Sequence, residues 1–217
     1  SLCLVILAAR WADRHAGRVT ALSVDHGLRA EAGEEVRRVG DWLKPKGIGH
    51  QILSWPGPKP VTGVQAAARA ARYRLMGGWC RQAGVLHLAL AHTLDDQAET
   101  FLLRLGKGSG AEGLAAMAAV RETPDVRLLR PLLEVPKAVL RAGLEAEGQD
   151  WIEDPSNQDP AFARVRVRQS MRDGGLEAAA LARSAYRYGR IRQALEYSYL
   201  LFCQYPIAKV IASPLRA

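Results

Sequence analysis

Short apolar runs alternate along the chain with longer stretches in which apolar residues recur every three or four positions. The runs at residues 18–24, 50–55 and 85–91 have the length and composition of buried strands. The stretches at residues 31–44 and 63–83 have the helical period and follow the first and second of these runs. Because strands that alternate with helices usually pair in parallel, the pattern predicts an α/β fold with a doubly wound, mainly parallel sheet.

The remaining elements follow from the same patterns. Residues 2–9 are almost entirely apolar and fit a buried strand or a buried helix equally well. Residues 161–168 include R-V-R-V-R, in which arginine alternates with valine, and this predicts a strand edge or an extended arm. The other predicted elements are a helix at 95–105, a short helix at 112–120, an extended segment at 126–133, and helices at 135–148 and 176–202.

The third apolar run ends in polar side chains that have the chemistry of a site. His92 follows this run, and Asp95, Asp96 and Glu99 begin the next predicted helix. Asp96 and Glu99 are three positions apart, so they share one helical face. Open α/β sheets bind ligands at the carboxyl ends of their strands, and carboxylates beside an imidazole can hold Mg²⁺, take a proton or bind an ammonium ion. The alternative is that the aspartates cap the helix, Glu99 is solvated and His92 is a loop residue.

A glycine-rich segment, G-K-G-S-G at residues 106–110, follows the helix that carries these acids. Its three glycines, lysine and serine could wrap a phosphate in backbone N–H groups. The residue order of a Walker loop is absent. The favoured alternative is therefore a connection between two helices.

The composition is that of a globular protein that folds in a reducing compartment. Hydrophobic residues make up 48% of the 217 residues and charged residues 24%, which suits one α/β domain with an appendage or two small domains. The three cysteines form no C-x-x-C pair, which argues against a zinc ribbon, a disulfide framework or a thiol-relay enzyme. No apolar stretch has the length of a membrane span, and we expect no signal peptide because the apolar start has no basic flank.

The net charge of +8 is distributed unevenly. Residues 161–217 contain ten arginines and lysines but only three acids, which gives +7 and leaves +1 for residues 1–160. Because so few acids balance the arginines, this region favours a polyanionic partner, with nucleic acid the first choice. The alternative is a well-solvated helical face.

Six segments resemble one enzyme family when they are taken together. They are V-D-H-G-L-R at 24–29, A-A-R-A-A-R-Y at 67–73, A-H-T-L-D-D-Q-A-E-T at 91–100, G-S-G-A-E-G-L-A-A-M at 108–117, L-L-R-P-L-L at 128–133 and E-D-P-S-N-Q-D-P-A-F-A-R-V-R-V-R at 153–168. Over about residues 1–170 the chain resembles the tRNA(Ile)-lysidine synthetases, which belong to the PP-loop ATP pyrophosphatases. One such segment would be a weak signal, whereas six in the family's order are specific.

The resemblance implies a ligase that modifies tRNA. Such an enzyme uses ATP and Mg²⁺ to adenylate the C2 oxygen of the cytidine at the first anticodon position of an isoleucine tRNA with a CAU anticodon. The ε-amine of L-lysine then displaces AMP and forms lysidine. The implied location is the cytoplasm, with no membrane partner, and a homodimer is one candidate assembly. The implied organisation is a Rossmann-like PP-loop domain at residues 1–170 and a small basic helical region at 171–217 that contacts the tRNA.

The matched motifs also imply roles for particular side chains, because charge that builds on a reacting phosphate is stabilised by arginine, Mg²⁺ and N–H donors. The expected catalytic residues are Asp96, His92, Arg72 and Arg164, and Asp96 is also the expected metal ligand. The expected lysine-binding residues are Glu99 and Asp96. The expected ATP-binding residues are Ser1, Asp25, His26 and Arg72, with Arg69 as an alternative to Arg72. The competing interpretation of the two arginines is a solvated helix face. The expected nucleic-acid-binding residues are Arg168, Arg183, Arg187, Arg190 and Arg192.

The chain departs from the family's pattern at several points. The family's phosphate-binding signature is S-G-G-x-D-S, of which only the last serine could be present, as Ser1. We expect a fragment of a longer protein rather than an inactive remnant, because a parallel sheet without its central strand would fold poorly. Thr93 stands where many members have a second histidine, and Val165 where many have asparagine. The region after Arg168 is shorter than the family's pattern.

Two other functions compete with this hypothesis. Another PP-loop enzyme, such as a tRNA thiolase or an amidotransferase synthetase, would share the nucleotide-binding fold. Thiolases usually need paired cysteines, and the D-P-S-N segment argues against both. A non-catalytic RNA-binding module is the other alternative, and ATP binding would distinguish it from the enzymes.

Overall fold

The computed structural model describes residues 1–29, 31–153 and 159–204. The helices are α1 (Leu2–Asp13), α2 (Ala32–Leu43), α3 (Val64–Gln82), α4 (Leu94–Leu105), α5 (Ala111–Leu114), α6 (Lys137–Ala146), α7 (Ala163–Asp173) and α8 (Ala178–Gln204). The strands are β1 (Thr20–Asp25), β2 (Gly49–Ser54), β3 (His87–Ala89), β4 (Val120–Glu122) and β5 (Arg127–Leu129). The chain forms two compact units, of which the first comprises Ser1–Thr93 and Ala119–Asn157, and the second Leu94–Ala118 and Gln158–Ala217.

The first unit contains the strands, and most of their pairings are parallel. β1 pairs in parallel with β2, from Thr20 opposite Gly49 to Asp25 opposite Ser54. β3 pairs in parallel with β5, and β4 pairs with β5 in the antiparallel sense. The expected α/β fold with a mainly parallel sheet is therefore confirmed.

The helices of the first unit pack on these sheets through two apolar clusters. α1, α2, β1 and α6 meet around buried Leu43, in a cluster completed by Leu2, Ile6, Ala21 and Leu144. The second cluster joins α3 to β3 and β5 through Met76, Cys80, Leu88, Val126 and Leu128. α3 packs against both β1 and β3, so one helix spans the two sheets.

The second unit is helical. α4 packs against α7 and α8, and α5 packs against α8. Its buried cluster is Phe101, Leu114, Ala116 and Ala185, with the ring of Tyr188 on Phe101 at 6.3 Å between centroids.

The ambiguous opening of the chain is the helix α1. The strands predicted at 18–24, 50–55 and 85–91 and the helices predicted at 31–44, 63–83, 95–105, 135–148 and 176–202 are all present, with small shifts of their bounds. The Asp154–Asn157 part of the D-P-S-N match lies outside the described residues.

The prediction of a strand edge or extended arm at residues 161–168 is wrong, because this segment enters α7. In a strand, Arg164, Arg166 and Arg168 would all point to one face. In the helix, Arg164 and Arg168 are one turn apart and contact Glu99, whereas Arg166 donates to the backbone carbonyls of Pro160 and Ala161. The buried acid on α4 therefore favours the helical period over the alternating one.

The short helix predicted at 112–120 is mostly wrong, because only α5 is helical there and Val120 begins β4. Side chains from α4 bind the backbone groups that a longer helix would use. Arg104 donates to the carbonyls of Gly113 and Ala116 at 2.6 and 3.0 Å. The Gln97 amide both donates to the Met117 carbonyl, at 2.8 Å, and accepts from the Met117 N–H, at 2.9 Å.

The glycine-rich segment 106–110 connects α4 to α5. The backbone N–H groups of Gly106, Lys107, Gly108 and Ser109 all donate to carbonyls of the last turn of α4. Gly108 has a φ of +68°, a left-handed conformation that favours glycine at the end of a helix. These N–H groups therefore cap a helix, as the favoured alternative states, instead of facing outwards as a phosphate cradle.

Among the helices of the described ranges, none combines the length and the apolar character that crossing a bilayer requires.

Candidate functional site

Within each unit, a group of the predicted residues is brought together. The first group surrounds the carboxyl ends of β1 and β2. Asp25 ends β1, and its carboxylate accepts the N–H of Gly27 at 2.8 Å. Gly27 has a φ of +60°, so this tight turn after the strand favours glycine. The turn places His26 directly beyond the sheet edge, where open α/β folds bind ligands.

His26 meets Arg72, which α3 carries. The Nη2 of Arg72 lies 3.2 Å from the Nε2 of His26. A guanidinium can only donate, so Nε2 accepts and the imidazole is neutral with its proton on Nδ1. That Nδ1 is buried and has no hydrogen-bond partner among the described residues. A buried donor of this kind suits a ligand oxygen, because leaving it unpaired costs about 1–3 kcal/mol.

The electrostatics around His26 keep it neutral. Burial is the main cause that lowers the pKa of His26, and the neighbouring Arg72 guanidinium lowers it further. Asp25 acts in the opposite direction, and Lys59 adds to the lowering. The corner thus has two cations, Arg72 and Lys59, and one carboxylate, Asp25, around a neutral imidazole. The excess of positive charge suits a phosphate or another anion.

Sequence reasoning missed Trp55 and Lys59, which complete this corner. The Trp55 ring meets the His26 ring edge to face, with 5.9 Å between centroids. The Nζ of Lys59 lies 4.4 Å from the centre of the Trp55 ring and donates to the carbonyls of Trp55 and Gly57 at 2.5 and 3.1 Å. An ammonium has three N–H donors, so one more is available for a ligand. The one sequence signal was a lysine in the proline-rich loop directly after a predicted strand.

Arg69 lies about one turn before Arg72 on α3 but contacts a different partner. Its guanidinium lies over the Tyr73 ring at 5.1 Å and donates to the Tyr73 hydroxyl at 3.3 Å. Tyr73 also hydrogen-bonds the side chain of Arg130, which is 6% exposed. Burial lowers the pKa of Arg130. Of the two predicted ATP-binding arginines on α3, Arg72 is therefore the one beside His26.

The second group is in the helical unit, around Glu99. The side chain of Glu99 is only 4% exposed, and both of its oxygens accept from arginines of α7. Arg164 Nη1 lies 3.0 Å from Oε2, and Arg168 Nε lies 2.5 Å from Oε1. A buried carboxylate needs such partners, because taking an unpaired charge out of water is very costly.

Asp96 and Thr100 extend the group along α4. Arg164 Nη1 lies 3.5 Å from Asp96 Oδ1, and Arg164 Nη2 donates to the Thr100 hydroxyl at 3.4 Å. The side chain of Asp96 is 29% exposed, so it is the more accessible of the two carboxylates. The structure thus brings together Asp96, Glu99, Arg164 and Arg168, and we call these four residues the acid–arginine cluster.

The other predicted site residues lie at the start of α1, between β3 and α4, and on α7 and α8. Ser1 caps α1, and its carbonyl accepts the N–H of Val5 at 3.3 Å. His92 lies between β3 and α4, at the end of the first unit. Of the predicted RNA-binding arginines, Arg183, Arg187 and Arg190 are exposed on α8. Arg168 belongs to the acid–arginine cluster, and Arg192 is 21% exposed and pairs with Glu196 at 3.7 Å.

Mg²⁺ can be tested against the donors that the structure offers. Among the described residues, no three His, Cys, Asp or Glu side chains lie close enough together to hold a metal ion. Mg²⁺ often uses one or two carboxylates and takes its other ligands from water and substrate phosphates. Asp96 fits that mode as a single accessible carboxylate.

Comparison with known proteins decides the family. The sequence model of the PP-loop domain matches residues 1–174, which is most of the chain. The chain belongs to the PP-loop domain family.

Two similar relatives are tRNA(Ile)-lysidine synthases. The chain is 48% identical over 202 residues to a tRNA(Ile)-lysidine synthase of Bradyrhizobium diazoefficiens, a match that covers 90% of this chain and 56% of the relative. It is also 48% identical over 201 residues to a tRNA(Ile)-lysidine synthase of Rhodopseudomonas palustris, covering 90% of this chain and 58% of the relative. The chain therefore spans little more than half the length of these relatives.

A solved structure supports the PP-loop fold. The structure of the U34-tRNA thiolase NcsA of Methanococcus maripaludis, with its 4Fe–4S cluster, superimposes with a TM-score of 0.73 at 16% sequence identity. The match covers 88% of this chain and 68% of that chain. At this identity the likeness concerns the fold alone.

Proposed function

We propose that the full-length protein is a tRNA(Ile)-lysidine synthetase that works in the cytoplasm. The observation that carries the proposal is the 48% identity, over 90% of this chain, to relatives that are named for this activity. In the proposed reaction the C2 oxygen of the anticodon cytidine attacks the α-phosphate of ATP, and pyrophosphate leaves. The ε-amine of lysine then attacks C2, loses a proton, and AMP leaves with the former C2 oxygen.

The corner around His26 is the proposed binding site for part of the nucleotide. Arg72 would meet the negative charge that grows on the α-phosphate, and the buried Nδ1–H of His26 would donate to a ligand oxygen. Asp25 would border the ribose or the adenine. Lys59 would add a positive charge held in place by two carbonyls and the Trp55 ring. Ser1 and Arg69 keep supporting roles in this proposal, at a helix N-terminus and beside Tyr73.

The acid–arginine cluster is the proposed lysine site. The lysine ammonium would bind Asp96 and Glu99, whose carboxylates Arg164 now contacts at 3.5 and 3.0 Å. The guanidinium of Arg164 thus occupies the position that we propose for the ammonium of the substrate. Entry of lysine would release Arg164, which would then stabilise the phosphate. His92 would move a proton, and Asp96 would supply one oxygen ligand to Mg²⁺. Mg²⁺, when bound, would stabilise negative charge on the nucleotide phosphates.

The experiment is lysine transfer by the full-length gene product. Radiolabelled lysine, ATP and Mg²⁺ are incubated with an isoleucine tRNA transcript that has a CAU anticodon, and label in the tRNA is counted. A transcript with the anticodon cytidine replaced by uridine is the matched control. Label in the first transcript alone is expected. Label in neither transcript, with tRNA still bound, would instead favour the RNA-binding module.

A further inference from the structure

The long helix α8 has one side that the second unit does not use. Ala185 is completely buried and marks the side that packs on α4 and α5. The opposite side carries exposed arginines and tyrosines. Its members are Arg183, Tyr186, Arg187, Arg190 and Tyr197, and we call them the arginine–tyrosine face.

The two tyrosines of this face are held at a fixed separation. Tyr186 and Tyr197 are eleven residues apart, which is close to three helical turns, so they point the same way about 16 Å apart along the axis. Their residues are 59% and 65% exposed. Neither ring has a ring contact or a hydrogen bond within residues 1–29, 31–153 and 159–204. Arg190 lies between them on the same side of the helix.

Arginines alone would suit any nucleic acid, since phosphates attract cations in every sequence and form. Exposed aromatic rings add a preference, because they stack on bases that are not already stacked in a duplex. A separation of about 16 Å corresponds to about five nucleotides at the 3.4 Å spacing of a stacked strand. The arginine–tyrosine face therefore matches a short unpaired stretch in charge, in ring content and in length.

Most apolar residues of α8 lie elsewhere on the helix, although Leu201, which is 39% exposed, falls on the arginine side about one turn beyond Tyr197. Leu195 and Tyr199 continue the side that faces the core, and Ile191 lies between the two sides. A protein partner would be expected to use those residues. The charge and the free rings of the opposite side favour RNA as its occupant.

We propose that the arginine–tyrosine face binds an unpaired loop of RNA, with Tyr186 and Tyr197 stacked on bases and Arg183, Arg187 and Arg190 on phosphates. This inference rests on the proposed function for one point only, that the RNA is a tRNA. Its anticodon loop is then the unpaired stretch that the face engages.

The test measures binding to two RNA probes by fluorescence anisotropy with the full chain. One probe is a hairpin with the anticodon loop of the isoleucine tRNA, and the other is a duplex of the same stem without a loop. Y186A and Y197A are each expected to weaken binding to the hairpin about 5- to 100-fold while binding to the duplex stays the same. Y186F and Y197F keep a ring that stacks and are expected to bind like the wild type.

Two further variants separate stacking from charge and from folding. R190A is expected to weaken both probes and to reduce the slope of log affinity against log salt by about 0.7–0.9, whereas the tyrosine variants leave the slope unchanged. I191A removes an exposed apolar side chain of the same helix and is expected to change neither affinity. All variants are compared at equal helical content by circular dichroism.

Several results would overturn the proposal. These are a wild-type chain that binds neither probe, tyrosine variants that bind the hairpin normally, and equal losses on hairpin and duplex. A loss in I191A as large as that in Y186A would show that the effect does not depend on the rings, and it would also overturn the proposal. Lysine transfer is a separate measurement, so loop binding without transfer would contradict the proposed enzyme and leave this inference standing.

Discussion

Arg164 of α7 donates to the carboxylate of Glu99 on α4 over 3.0 Å, and that carboxylate is almost completely buried. The contact joins two segments that are 65 residues apart in the sequence. It also places a charged group in the interior of the second unit, since the Glu99 side chain is only 4% exposed. The first two predictions concern the opposite ends of this contact.

Replacing Glu99 with alanine should destabilise the second unit. Each arginine would lose its hydrogen bond to this carboxylate. Hydrogen bonds to charged groups are worth about 1.5–3 kcal/mol each, and this value is reduced here because the arginines are partly exposed. We expect a loss of about 2 kcal/mol in the free energy of unfolding, measured with urea. R166A is the control on α7, since Arg166 donates only to backbone carbonyls. Equal stability of E99A and the wild type would mean that the contact contributes nothing.

Replacing Arg164 with alanine should separate lysine binding from adenylation. If Arg164 occupies the lysine position, its removal lowers the KM for lysine or leaves it unchanged. The rate of tRNA-dependent pyrophosphate release should fall by about 10²–10³-fold, because a group that stabilises the reacting phosphate is lost. Steady-state kinetics with lysine and ATP varied in turn would check this. A rise in the KM for lysine with normal pyrophosphate release would contradict the exchange.

Replacing Asp96 with asparagine keeps the shape of the side chain and removes its charge. The KM for lysine should rise about 10- to 100-fold, as expected for the loss of one charge-assisted hydrogen bond. Affinity for the tRNA should stay close to that of the wild type. E112Q removes an exposed carboxylate of the same unit and is the matched control. Normal lysine kinetics in D96N would remove Asp96 from the site.

The protonation of His26 should depend on Arg72. The pKa of His26 is lowered from its usual value of about 6.5, so the folded state resists its protonation. Stability is therefore full above about pH 6.5 and is lost as the pH falls through the lowered pKa. NMR titration of the imidazole should show the low pKa, and R72M should move it up towards 6.5. R74M changes an exposed arginine of α3 and should leave it unchanged.

The first unit was largely predictable from sequence because its signals are local. Strands of β-branched and apolar residues alternate there with helices that have a clear period, and the turn at Gly27 follows directly from V-D-H-G. The contact between His26 and Arg72 could be expected only in outline, since 46 residues separate them. Trp55 and Lys59 were not expected, because nothing local in a proline-rich loop tells which strand end it lies against.

The second unit was harder to predict, because tertiary contacts decide its local structure. R-V-R-V-R alternates like a strand, and the helix forms because Arg164 and Arg168 must both reach Glu99. Residues 115–119 look helical in composition, but Arg104 and Gln97 hold their backbone in another shape. In both cases polar side chains on α4, namely Glu99 in the first case and Gln97 with Arg104 in the second, outweigh the local preference of another segment.

The two acids and two arginines of the acid–arginine cluster sum to zero formal charge. Exchanging one monovalent cation for another at Glu99 would keep that sum, so the buried carboxylate would never be left bare. In this exchange the lysine ammonium replaces the guanidinium of Arg164, which remains attached to the chain nearby. Such an exchange tolerates an incoming ammonium and disfavours a neutral amine, so occupancy by lysine should fall as the pH approaches the pKa of its side chain, about 10.4.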